Sequence, residues 1–226
     1  MIPALVAILA ESHKPSSLDA LRSLAALAGP SDHAWIATTG AARERLDPLP
    51  PRPLAPDTPP ANAVSDMLDR LSPTDIVPGC RSPAEALSVK AGLYLINDFL
   101  DQAHALAQQA DALGRTTTAS YWHGIMHRRE PDYDNARYWC RRVGRHPTFG
   151  QLAHEAAQRM NDREFAARLQ FDRVLDRRGT WDPMAFIDLC EQCGRTWNAR
   201  AQAAAELQAI ELRVLLEYTC QAVFGD

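Results

Sequence analysis

Two histidines, His123 and His127, stand four residues apart in a stretch whose pattern is helical. On a helix that spacing sets them about 40° apart around the axis and roughly 6 Å along it, so both imidazoles can reach one metal ion. Glu130, seven residues beyond His123, falls near the same meridian if the helix holds to the residue before Pro131. The spacing is that of a zinc-protease helix. Gly124, however, stands where such a helix carries its general-base glutamate, and protease chemistry is therefore not supported.

The surrounding segment, Tyr121 to Pro147, gathers three histidines and six arginines among several tyrosines and tryptophans. Arginine offers a planar fork that grips carboxylate or phosphate, and Trp and Tyr bury large area while their polar tips need partners. Tyr121, Arg128, Trp139 and Arg142 are accordingly the candidate contacts for a small anionic substrate. A third imidazole can come from the preceding helix, where Asn97, Asp101, His104 and Gln108 make one polar stripe. A short turn would bring His104 opposite the histidine pair, as in carboxylate–histidine sites of helical bundles. The predicted site is His104, His123 and His127 around a divalent ion, zinc or iron. Asp101 or Glu130 completes the shell or moves protons.

Each feature also has a plainer reading. The histidine pair can be structural, the stripe a solvated helix face, and the arginines a surface network with Glu130, Asp132 and Asp134. Trp122, Ile125 and Met126, like Tyr133, Ala136, Cys140 and Val143, have the spacing of core. Cys190 and Cys193 form a lone CxxC with no second pair.

The elements that must position these residues read as helices throughout. One is predicted from Ser82-Pro83 to about Leu113, and others near 119–129, 132–144, 149–160, 163–177, 183–193 and 198–223. A short one covers 61–71. Ahead of them, 1–46 reads as two or three short helices, one capped by Ser16 or Ser17. The prolines between Asp47 and Pro60 make an extended linker or surface strap. The fold class predicted is all-α, a multi-helix bundle or irregular array without significant sheet. Residues 1–75 form an N-terminal arm and 76–226 the main domain.

The chain has 226 residues, 46% apolar and 23% charged, ordinary for a globular domain. A net charge of -4 argues against nucleic-acid or anionic-membrane binding. The opening apolar stretch lacks a basic flank and a cleavage site, and no apolar run approaches the ~20 residues of a membrane span. Five cysteines fit reduced thiols in a cytoplasmic protein better than a disulfide framework. A homo-oligomer is open.

The segments 97–104, 121–132, 135–147 and 181–190, read as continuous motifs, resemble a family of uncharacterised bacterial proteins. The likeness covers roughly residues 80–226 and implies no activity. The leading functional expectation is a metal-dependent enzyme, of hydrolase, lyase or oxygenase type. The alternative is a non-enzymatic interaction module, because Asp134 to Arg142 is like one tetratricopeptide helix and because Trp, Tyr and Arg concentrate at binding hot spots.

Overall fold

The computed structural model describes residues 49, 51–57, 63–77, 80–114, 116–170 and 174–224. The helices read within 1–46 lie outside these residues. Among the described residues there are ten helices and no strand, with one isolated bridge between Leu175 and Trp181. The chain is all-α. The helices are α1 (Ala63–Arg70), α2 (Pro73–Ile76), α3 (Pro83–Ile96), α4 (Leu100–Gly114) and α5 (Thr117–Arg129), then α6 (Tyr133–Val143), α7 (Phe149–Met160), α8 (Arg163–Arg168), α9 (Pro183–Cys193) and α10 (Ala199–Phe224). None of them is long and apolar enough to cross a membrane.

Most starts follow local chemistry. Ser72 and Asp75 close a reciprocal capping box on α2, and the Ser82 hydroxyl accepts from Glu85 N–H at the head of α3. Asp132, Asp162 and Asp182 cap α6, α8 and α9 in the same way. Gly144 and Gly194, both at positive φ, stop α6 and α9.

Two helices depart from the sequence prediction. The one expected from Ser82 to Leu113 is two, broken at Asn97-Asp98-Phe99. Asp98 sits at φ +68, a conformation that Asp tolerates better than most residues. The Asn97 amide donates back to Leu93 C=O at 2.8 Å, and Phe99 packs edge-on to Tyr94, so the break is fixed from both sides. The helix expected over 163–177 ends at Arg168, and further on Asp176 turns the chain instead. Its Oδ1 accepts from Arg178 N–H and Thr180 N–H, a local bond that competes with the helical ladder.

The chain divides into two compact units. In the first, within Thr58–Ala119 and Leu216–Asp226, α3 packs on α4. Leu87, Ala110 and Ala119 form a small cluster there, with Leu106 against it. Lys90, 8% exposed, donates to Leu71 C=O at 2.7 Å just beyond α1, and Tyr94 OH donates to Asp69 at 2.5 Å. Burial pulls the Lys90 pKa down, opposed by Asp69 and Asp75.

The second unit comprises Pro48–Asp57 and Ser120–Leu215. Ala136, Cys140 and Ile187 join α6 to α9, and Arg137 ties the same two helices by pairing with Asp188 and Glu191. Arg159 and Arg168 both reach Glu206 while covering the Phe165 ring. The proline-rich strap packs here: Leu54 and Ala55 are buried, at 4% and 7% exposure.

Asp98 provides a clean test of the helix break. Both Asp98→Gly and Asp98→Ala delete the carboxylate, but only Gly accepts positive φ without strain. The Gly variant is expected to be more stable than the Ala variant by about 1 kcal/mol in urea unfolding, a difference within the ~1–2 kcal/mol range for left-handed backbone. Equal stabilities would mean the positive φ is not retained.

Candidate metal centre on the polar helix

Helix α5 starts where Thr116 Oγ1 accepts from Ala119 N–H. Every residue from Thr118 to Arg129 is buried. A helix buried all round is normally apolar, yet this one carries Tyr121, His123, His127, Arg128 and Arg129. Burying a polar head without a partner is costly, so each must be satisfied inside the protein.

Arg128 meets Glu211 of α10: Nη2 donates to Oε2 at 2.5 Å, with the two side chains 2% and 0% exposed. Tyr121 OH donates to the other oxygen of Glu211 at 2.8 Å, and the Phe186 ring lies 4.5 Å from the guanidinium. Burial opposes the Arg128 charge, but Glu211 outweighs it and the pKa rises. Burial and the adjacent carboxylate hold the Tyr121 phenol well above its usual range. Tyr121 and Arg128, read from sequence as substrate contacts, therefore occupy a closed internal network with Glu211. The surface pairing foreseen for Arg128 is replaced by this one. Arg129, fully buried, donates to the Pro53 carbonyl at 3.4 Å.

The histidines follow a different face. Their rings are stacked, 4.9 Å between centroids and 16° between planes, and both are buried. Trp139 of α6 stacks on His123 at 3.9 Å and 21°. Glu130 Oε2 lies 3.3 Å and Asp132 Oδ2 3.7 Å from His127 Nδ1, so carboxylates gather on that side of the ring. Gly124 explains itself in the same contact. A Cβ there would lie 3.2 Å from Cys140 Sγ and 3.4 Å from Trp139 Cβ, closer than these neighbours comfortably allow. The position that a zinc protease gives to glutamate is here the point where α6 closes on α5.

His104, the third imidazole named from sequence, lies on α4 in the first unit, whereas His123 and His127 belong to the second. His104, half-buried on α4, also bonds Gln108 Nε2 at 2.9 Å. Asp101 is exposed on α4, whereas Asn97, expected on the same stripe, is buried in the helix break. Arg142 is exposed on α6, over Trp139 at 5.2 Å and Tyr138 at 5.7 Å, its Nη1 donating to the Tyr138 hydroxyl at 3.3 Å.

Sequence reasoning missed Glu211 and Gln208. Both lie on α10, which is buried almost all round, with Ile210 and Tyr218 only half-buried. An acidic residue inside a long apolar helix was the available signal. The CxxC cysteines are buried, and burial pushes both the Cys190 and Cys140 thiols up to about 12, leaving no thiolate near neutrality.

Comparison with known proteins adds no relationship: no family model, no curated protein and no solved structure matches the chain.

His146 yields a pH prediction. It is 4% exposed, its Nδ1 accepting from Thr148 N–H, and burial lowers its pKa from 6.5 to about 4. Between those values the unfolded chain binds a proton that the folded chain refuses. The group therefore costs stability as pH falls from about 6.5 to about 4, by up to about 3 kcal/mol. Urea unfolding across this range should show that slope, and His146→Asn should remove it. An unchanged slope in the variant would assign it to other groups.

Proposed function

We propose that the chain is a metal-dependent enzyme acting on a small anionic substrate, with His123 and His127 as ligands. One observation carries the reading: two buried imidazoles stacked with centroids 4.9 Å apart on one helix, with the Glu130 carboxylate 3.3 Å from His127. Imidazole nitrogens with a carboxylate beside them suit borderline ions such as zinc and iron.

His123 is held by its stack on Trp139. A bound ion would supply Lewis acidity or an activated water. Glu130, 3.3 Å from His127, is placed to orient that ring or hold a proton, and Asp101 is the second candidate acid. Substrate recognition falls to Arg142, with Trp139 beside it, because Arg142 is the exposed guanidinium of the predicted set.

A second reading rests on the surface of α6. Tyr138 is 48% exposed beside Arg142, an aromatic and arginine pairing typical of protein interfaces. In that reading the histidines are polar core and the chain is a binding module.

Metal analysis of protein purified without a histidine tag separates the two. The metal reading expects about one equivalent of zinc or iron, lost in His123→Ala and His127→Ala, with helical circular dichroism preserved. Absence of bound metal, together with no thermal stabilisation by added zinc, iron or manganese, would rule it out.

A further inference from the structure

The strap at 51–57 belongs to the second unit. Leu54 and Ala55 are buried, while Pro51, Pro53 and Asp57 on either side are exposed. The Pro53 carbonyl accepts from two side chains of the unit, Arg129 Nη2 and Gln208 Nε2, each at 3.4 Å. Asp57 pairs with Arg195. No helix forms in the segment.

This is the pattern of a bound extended peptide rather than of a core element. Two adjacent small apolar side chains anchor it, side-chain donors grip one carbonyl, and flanking prolines hold the chain extended, which lowers the entropy lost on docking. The seat is also wired to the polar helix. Gln208 donates to Pro53 through Nε2, and its Oε1 faces Arg128 Nη2 at 3.5 Å, within the Arg128–Glu211 network.

We infer that this seat is a recognition site for extended, proline-flanked Pro-Leu-Ala segments of a protein partner, occupied within the chain by its own strap. The strap acts as a tethered competitor. Tethering gives an effective concentration on the order of millimolar, so a partner peptide gains access when the strap is displaced or its leucine anchor removed. The inference is independent of any metal.

The test uses the full chain and a fluorescent peptide of residues 49–57, Leu-Pro-Pro-Arg-Pro-Leu-Ala-Pro-Asp. Fluorescence anisotropy should show the peptide binding Leu54→Asp protein at least about tenfold more tightly than wild type, because the tethered competitor is gone. A peptide with aspartate in place of its leucine should bind neither protein. Leu54→Ala, a milder change, should give the same direction with a smaller gain. Equal or absent binding in wild type and both variants would overturn the inference. So would loss of helical structure in both variants, since a docked ligand can be removed without unfolding its host. Concentration-dependent dimerisation of wild type that is abolished by Leu54→Asp would also overturn it, making the occupant the strap of a second copy.

Discussion

The buried pair of Arg128 and Glu211 is the constraint on which the second unit depends. Removing one partner of such a pair typically costs about 3–5 kcal/mol, because the other charge is left in an apolar interior. Here the carboxylate has both oxygens engaged, one by Arg128 and one by the Tyr121 hydroxyl, and the Phe186 ring covers the guanidinium. Tyr121 and Arg128 are seven residues apart, almost two helical turns, and so share one side of α5. That side is fixed to α10. On a regular helix His123 and His127 then fall roughly 200–240° around the axis from Tyr121, on the far side. The same helix is thus anchored by one polar face and presents imidazoles on another.

The far side has its own closure. Without a side chain at Gly124, Cys140 and Trp139 of α6 approach the α5 backbone, and the indole lies flat on His123. A longer residue at 124 would have to push α6 away and separate that stack. The absent glutamate and the stacked tryptophan are therefore two consequences of one close approach. Burial of the Cys140 thiol belongs to the same packing, and it keeps that thiol protonated near neutrality.

Much of this was legible in the sequence, for local reasons. Ser-Pro and Asp-Pro starts, aspartate caps and terminal glycines act within a few residues, and α6, α7 and α9 appear where those signals put them. The histidine pair was legible because i and i+4 share a helix face. What was illegible depended on partners far along the chain. Glu211 is 83 residues from Arg128, and nothing local to either marks the other. The break at Asp98 failed to show because Asp is acceptable within a helix and distinctive only at positive φ. The strap was legible as extended, but the burial of Leu54 was not, since the side chains that bond the adjacent Pro53 carbonyl come from α5 and α10, far along the chain.

The most direct question is whether the α5 imidazoles, and not the buried thiols of the same unit, hold a metal. X-ray absorption fine structure of the protein loaded with one equivalent of zinc reads this directly. The account predicts a first shell of nitrogen and oxygen at ~2.0–2.1 Å, with the outer-shell scattering of imidazole rings. A first shell of sulfur at ~2.3 Å, the distance for cysteine ligands such as Cys140, Cys190 or Cys193 would provide, would contradict it.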